Sequence, residues 1–314
     1  MGEVHRLVDE YGSKTAASLM PGRRSRRIVD TASETMLDRT AGEIASFIYS
    51  GWCQAGLPHR KPADDAVWRI KTDHIAMNVE PGRYEGPDGK DVWVGCPYGS
   101  VARLILIFLQ SRALETGSRT VALGGNLNAF LGRLGLSQGG NTNKIVRNQI
   151  ERISLAKLTF FLSKGAVRGV ANQSIVDSAI FFGEERDPRQ QGLFTDIIKL
   201  SEGFFEQLCR YPVTLDERAV ARIHINSRAL DVYCWLAFRL RHLDADTPIS
   251  WAALRPQFGA GIKSRDRNFK MLFLDDLRLA LSVYPDANVD ITDKGVILKP
   301  SPPPVKGKRV LLVR

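Results

Sequence analysis

The residue types best suited to recognition chemistry lie along one predicted helix that begins at Asn141. Apolar residues at helical spacing predict its buried face: Ile145, Val146, Ile150 and Ile153. The same register turns polar residues toward solvent: Asn143, Lys144, Arg147, Asn148, Glu151 and Arg152. Arginine, lysine and asparagine hydrogen-bond guanine and adenine edges in a DNA major groove and also bind phosphates. The helix is therefore a candidate for reading DNA; a solvated face without a partner is the alternative interpretation.

A shorter apolar helix and a glycine-rich turn must position this face, and together they predict a helix-turn-helix within Gly124–Lys164. The shorter helix carries apolar residues at helical spacing: Leu127, Phe130, Leu131 and Leu134. Asn126 is its candidate N-cap, and Gly135 suits the left-handed residue that ends a helix. The turn Gln138–Gly140 follows.

A predicted β-hairpin comes directly after the polar helix. Its first strand covers Leu158–Leu162, its turn Ser163–Gly165, and its second strand Ser174–Phe182. A hairpin in this place predicts a wing that contacts the phosphate backbone or the minor groove. Lys164 and Arg168 are expected near its tip.

The same order of elements returns in the last third of the chain. A long helix begins at Ser227, a short helix covers Trp251–Phe258, Gly259–Gly261 forms a turn, and a final long helix starts at Ser264. A second small hairpin closes the module over Val289–Leu298. This is a repeat of architecture and not of sequence, and it predicts an α+β fold with two tandem winged-helix modules.

The two predicted modules supply the candidate DNA-binding residues. The first module contributes Asn141, Thr142, Asn143, Lys144, Arg147, Asn148 and Arg152, with Lys164 and Arg168 in its wing. The second contributes Lys263, Ser264, Arg265, Arg267, Asn268 and Lys270. The predicted boundaries are a basic N-terminal arm and helix at 1–65, winged-helix domains at 66–185 and 193–300, and a basic tail at 301–314.

Charge and composition agree with a polyanionic partner. The chain has 314 residues, 44% of them hydrophobic, and a formal net charge of +10. A chain of this size buries a sizeable core, and nucleic acid is the commonest partner of such a basic protein. Residues 1–27 end in an arginine cluster that predicts a mobile arm.

Other function classes find little support in the residue pattern. The histidines are scattered, whereas a rolling-circle nickase needs a tyrosine beside a His-x-His metal site. The four cysteines lack zinc-ligand spacing, and Gly259–Ser264 lacks the glycine that precedes the lysine of a phosphate-binding loop. The longest apolar run, Leu104–Leu109, is too short to span a bilayer. We therefore expect a cytoplasmic non-enzyme without metal, cofactor or membrane partner.

Several segments are similar to those of one known family: Pro97–Ser100 with Ala102–Leu106, Leu127–Gly135, Arg147–Ile150 with Arg152, Pro212–Asp216, Ala229–Tyr233 with Trp235–Leu236, and Gln257–Gly259 with Phe269–Lys270 and Phe273–Leu274. The chain resembles the plasmid-encoded RepA replication initiator family over about residues 25–305, and it departs from the pattern at Glu151, a position more often basic. The resemblance implies a protein that recognises double-stranded origin repeats and starts replication with host machinery. The catalytic chemistry would then belong to the host.

Alternatives remain open at this point. A transcriptional repressor would use the same DNA-binding residues, and initiators commonly repress their own gene. An origin nickase or primase is the alternative from a different class. The host initiator and the replicative helicase are candidate protein partners, and the sequence does not decide between a monomer and a homodimer.

Overall fold

A computed structural model describes residues 2–20, 24–38, 44–72, 75–136, 139–164, 167–180, 196–262 and 266–305. Its fold is mixed α and β, which confirms the predicted class. The helices are α1 (Glu3–Leu19), α2 (Ser25–Leu37), α3 (Ser50–Gln54), α4 (Gly99–Thr116), α5 (Gly124–Arg133), α6 (Gly140–Leu155), α7 (Glu202–Arg210), α8 (Glu217–Ile223), α9 (Ser227–Arg239), α10 (Trp251–Phe258) and α11 (Asp266–Ser282). No helix among these described residues is long and apolar enough to cross a membrane.

The strands form several small sheets. They are β1 (Ala45–Tyr49), β2 (Trp68–Lys71), β3 (Ile75–Glu80), β4 (Gly82–Glu85), β5 (Asp91–Gly95), β6 (Thr120–Ala122), β7 (Lys157–Lys164), β8 (Val167–Ser174), β9 (Val176–Ile180), β10 (Ile197–Leu200), β11 (Pro212–Asp216), β12 (Thr247–Ser250), β13 (Val289–Ile291) and β14 (Gly295–Leu298). The strand orders are β1-β11, β6-β10-β9, β12-β14-β13, β2-β3-β7-β8 and β4-β5.

The chain divides into two compact units. The central unit comprises Leu57–Ile70 and His74–Pro212, and the split unit comprises Met1–Gly56, Lys71–Asp73 and the described residues from Val213 onward. The predicted boundary at residues 185–193 falls between β9 and β10, inside the central unit. β10 pairs with both β6 and β9, so this strand belongs with the elements before the predicted boundary.

The core of the central unit surrounds α4. Leu104, Ile105 and Leu109 on this helix are completely buried, as the run of apolar residues predicts. Gly117, with φ of 62°, ends the helix in the left-handed conformation. The buried Arg103 guanidinium donates hydrogen bonds to the carbonyl groups of Leu57 and Gly99, so its charge is stabilised inside the unit.

The strands after α6 differ from the predicted hairpin. β7 pairs with β8 from Lys157↔Ser174 to Lys164↔Val167, and β9 is a separate strand that pairs with β10. The sequence predicted two strands and missed β8, because its residues (VRGVANQS) lack apolar alternation. β8 is stabilised by backbone hydrogen bonds to β7, and its side-chain pattern does not indicate this pairing.

The split unit joins the two ends of the sequence. α1 packs on α2, both contact α11, and β1 pairs with β11. The prediction of a mobile arm over residues 1–27 is wrong for α1, because Val4, His5 and Ala16 of this helix are buried. Arg24, from the predicted arginine cluster, binds the buried carboxylate of Asp276 at 3.0 Å. That carboxylate also accepts hydrogen bonds from Asn226 and Arg228.

Both units share an order of elements and a strand order, apart from the strands β7 and β8, which lie between α6 and β9 in the central unit. The central unit has α4, β6, α5, α6, β9 and β10, with sheet order β6-β10-β9. The split unit has α9, β12, α10, α11, β13 and β14, with sheet order β12-β14-β13. In each sheet the last strand lies between the first and the second, so the repeat of architecture extends to strand pairing.

Candidate nucleic-acid interface

Helix α6 presents the predicted polar face to solvent over its first half. Asn141, Asn143, Lys144 and Arg147 are exposed, while Thr142 and Asn148 are half-buried. The opposite face is the apolar stripe of Val146, Ile150 and Ile153, all buried. The helix therefore brings two cations and several amide groups together on one accessible surface.

Arg152 lies inside the central unit and not on this surface. Its side chain is 4% exposed, and Nη2 binds Oδ1 of Asp64 at 3.0 Å. Nη1 donates to the carbonyl oxygen of Cys96 at 3.3 Å, Nε donates to Oδ1 of Asn148 at 2.8 Å, and the guanidinium lies 5.3 Å from the Tyr98 ring centre. The prediction that Arg152 faces solvent is wrong. At 4% exposure the Arg152 side chain is not accessible to DNA in this structure.

The reason for this error is a polar contact made by the buried side of α6. Gln149 is also buried, and its Oε1 accepts the backbone N–H of Tyr98 at 2.9 Å. Gln149 and Arg152 both face the Cys96–Tyr98 segment, so the helix is buried over a wider arc than its apolar stripe. Polar residues normally indicate a solvent-facing side, and their partners here lie far away in sequence.

Lys61 and the ion pair with Arg152 shift the pKa of the Asp64 carboxyl group. A hydrogen bond from Lys61, followed by the hydrogen bond and charge of Arg152, lowers the pKa of this carboxyl group below its usual value. Asn148 is affected as well, because its Oδ1 already accepts from Arg152. The Asn148 amide is therefore held in a fixed orientation, with its NH₂ group left to donate.

Ile145 is the second departure from the predicted register. It is 43% exposed, although the sequence placed it on the buried face. Successive helical residues are rotated by about 100°, which puts Ile145 about 100° from the centre of the stripe formed by Val146, Ile150 and Ile153. It lies instead at the margin of the accessible surface of α6.

Helix α5 packs as predicted but begins earlier. Its apolar residues are all buried: Leu127, Phe130, Leu131 and Leu134. The helix starts at Gly124 with Leu123 in the N-cap position, so the assignment of Asn126 as N-cap is wrong. Gly135 has φ of 78°, the left-handed conformation predicted for it. Gln138 in the predicted turn lies outside the described residues.

The predicted wing cations lie at the closed end of the β7–β8 hairpin. The register pairs Lys164 with Val167 and Ser163 with Arg168, next to the turn. The side chains of Lys164 and Arg168 lie outside the described part of the chain, and their contact with DNA stays a prediction. β7 also pairs with β3, so the hairpin belongs to a different sheet from β6.

The second candidate helix, α11, covers Asp266–Ser282, and its predicted start at Ser264 lies outside the described residues. Asn268 is exposed. Lys270 is half-buried, with Nζ 5.1 Å from the Trp251 ring centre and 3.4 Å from the carbonyl oxygen of Asp293. Lys263, Ser264 and Arg265 lie outside the described residues, as does the side chain of Arg267.

A groove of about 600 Å³ runs between α6 and the edge strand β9. Lys144 and Arg147 line it together with the carboxylates of Glu151, Asp177 and Asp196. Cations and carboxylates thus share this groove. The two cations of the exposed α6 face, Lys144 and Arg147, therefore lie beside three carboxylates, which reduce the net positive charge of the groove.

The candidate surface lies inside the region of the chain that matches a known family. Residues 96–253, half of the chain, match the family described as plasmid encoded RepA protein. The chain belongs to this RepA family. The matched region begins at the Cys96–Tyr98 segment that binds α6, and it extends to α10. It therefore contains the whole α4–α6 arrangement of this RepA family member.

Solved structures add a likeness of fold. A crystal structure of a selenomethionine derivative of RctB domains 2 and 3 is 13% identical to this chain with a TM-score of 0.50, covering 80% of this chain and 97% of the other. A second crystal structure of RctB domains 2–3 is 10% identical with a TM-score of 0.41, covering 78% and 92%. No protein of curated function matches the chain.

Proposed function

We propose that this RepA family member is a plasmid replication initiator that binds repeated, double-stranded origin DNA. The observation that carries the proposal is the accessible α6 face, with Lys144 and Arg147 exposed, inside the region that defines the family. The formal net charge of +10 favours a polyanionic partner. The bound initiator recruits the host initiator and replicative helicase, and it represses its own gene when repeats overlap the promoter.

Each unit, in this proposal, uses a winged-helix module to hold its recognition helix in a major groove. The shared order helix, strand, helix, helix, strand, strand supports this assignment, as does the common sheet order β6-β10-β9 and β12-β14-β13. By this topology the strands β9 and β10 correspond to the two strands of a wing in the central unit. The β7–β8 hairpin, with Lys164 and Arg168 at its closed end, is then an additional hairpin inserted before the wing.

A replication assay separates the initiator from a repressor that lacks this role. A plasmid whose replicon consists of this gene and its adjacent repeats is introduced into a host, and its establishment is scored. We expect establishment with the wild-type gene and loss with Arg147→Ala, together with loss of binding to the repeats. Repression of a reporter promoter without plasmid establishment would favour the repressor.

A topology assay separates a DNA binder from an origin nickase. The purified chain is mixed with supercoiled DNA that carries the repeats, in the presence of Mg²⁺. We expect the DNA to stay supercoiled after the protein is removed, because the catalytic steps belong to host enzymes. Accumulation of open circles would contradict the proposal and favour a nickase.

A further inference from the structure

Ile145 presents a large apolar side chain on the accessible surface of α6. The core-facing stripe of the helix is already filled by Val146, Ile150 and Ile153, which are 7%, 4% and 0% exposed. At 43% exposure, Ile145 stands outside this stripe, within the N-terminal half of the helix. Packing within the central unit therefore leaves much of this side chain accessible to a ligand.

In the split unit, Met271 on α11 is likewise a large apolar side chain exposed to solvent. It is 49% exposed, whereas Phe269, Phe273 and Leu277 of the same helix are 2%, 3% and 0% exposed. It lies three residues after the exposed Asn268, on the adjoining turn. Both candidate recognition helices thus combine a filled core stripe with a large exposed apolar side chain in the N-terminal half.

The surroundings of Ile145 argue against a protein-docking patch. Its neighbours one turn away are Asn141, Thr142, Asn148 and Gln149, all polar. Surfaces that dock proteins gather apolar side chains into a continuous patch, and on α6 the four polar positions around Ile145 do not extend one. Its chemistry fits a small apolar group presented among hydrogen-bonding groups.

A major groove presents one such group, the C5-methyl of thymine, which lies beside the acceptor O4. We infer that Ile145 and Met271 are specificity residues that contact thymine methyl groups, one in each half of the recognition site. This inference rests on the proposed function, since it requires α6 and α11 to enter the major groove. The amides and cations nearby then hydrogen-bond to the flanking base edges, while the apolar side chains distinguish thymine from cytosine.

Replacing thymine by deoxyuridine removes only the methyl group and therefore tests the inference directly. A binding site is first selected by the full chain from randomised 24-base-pair duplexes, and each thymine is then replaced singly by deoxyuridine. We expect wild-type affinity to fall by about fourfold at one thymine or more in each half, as for losing one buried methyl-sized group. Ile145→Ala should bind the thymine and deoxyuridine duplexes equally in one half, and Met271→Ala in the other.

Leu155→Ala is the matched control, because Leu155 is a comparably exposed apolar residue at the C-terminal end of α6. It should retain the wild-type dependence on both methyl groups. Selective wild-type binding without a deoxyuridine-sensitive thymine would overturn the methyl inference and leave the proposed function standing. The methyl inference would also be overturned, with the proposed function intact, if affinity depended equally on the thymine methyl groups in the wild type, Ile145→Ala and Met271→Ala. If no specific sequence is selected, the proposed function fails and the inference falls with it.

Discussion

At the scale of single residues, substitution of Arg152 distinguishes a structural role of this side chain from a role in DNA binding. Arg152→Ala removes hydrogen bonds to Asp64, Cys96 and Asn148. We expect the free energy of unfolding to fall by roughly 1.5–3 kcal/mol, as for hydrogen bonds that involve a charged group. The salt dependence of DNA binding should stay unchanged in the folded fraction. A salt slope reduced by about one unit at wild-type stability would mean that Arg152 contacts a phosphate.

The same pair predicts a pH dependence. The pKa of Asp64 is lowered in the folded protein, so its stabilising contribution is present above its unfolded pKa of about 4 and is lost as pH falls through the folded value. Because the Asp64 side chain is 39% exposed, solvent screening keeps the contribution small. Unfolding of wild type and Asp64→Asn, measured from pH 7 to pH 3, should converge toward the acid end. A constant difference would contradict this account.

Arg147 and Lys164 are expected to make different kinds of DNA contact. A bidentate arginine–guanine contact is worth about 1–3 kcal/mol, so Arg147→Ala should weaken specific binding and relax sequence preference. Lys164→Ala should weaken specific and random DNA alike and lower the salt slope by about one unit. Titrations of selected and random duplexes at several salt concentrations measure both effects. Equal losses on both DNAs for Arg147→Ala would make Arg147 a phosphate contact.

At the scale of elements, the packing of α5 against the core is testable by cavity formation. Leu131 is 4% exposed, and Leu131→Ala should cost roughly 2–5 kcal/mol of unfolding free energy. Ile150→Ala, in the buried stripe of α6, should behave similarly. Leu155→Ala is the control, since its half-exposed side chain leaves a smaller cavity. Denaturant unfolding provides the measurement, and wild-type stability of the two buried variants would show that these side chains are solvated.

The sequence predicted those elements whose order comes from local side-chain pattern. The apolar stripes of α4 and α5 and the order of elements in both units were readable, because burial of a stripe repeats at helical spacing. β8 could not be predicted in this way, because its order comes from backbone pairing with β7. The burial of Arg152 was equally hidden, since it depends on Asp64, 88 residues away in the chain. Of the candidate site, Lys144 and Arg147 were placed correctly on the surface, whereas Arg152 and Ile145 were not.

At the scale of the whole molecule, two different modules on one chain predict an asymmetric site. Recognition helices in successive major grooves lie about 10–10.5 base pairs apart, so one chain should protect roughly 20 base pairs without two-fold symmetry. Repeated sites would then be direct repeats. Footprinting wild type against Arg267→Ala should show protection weakened over one half only. A symmetric footprint on an inverted repeat would assign dimerisation to the split unit.

The split unit also sets the order in which a new chain can fold. Synthesis proceeds from the N-terminus, yet α1 and α2 pack on α11, and β1 pairs with β11. In a nascent chain the surfaces of α1 and α2 that pack on α11 therefore stay uncovered while the elements of the central unit are synthesised. Any chain that stops before α11 keeps those faces exposed and leaves the carboxylate-binding Arg24 without Asp276. An incomplete chain is therefore expected to expose apolar surface of the kind that favours aggregation.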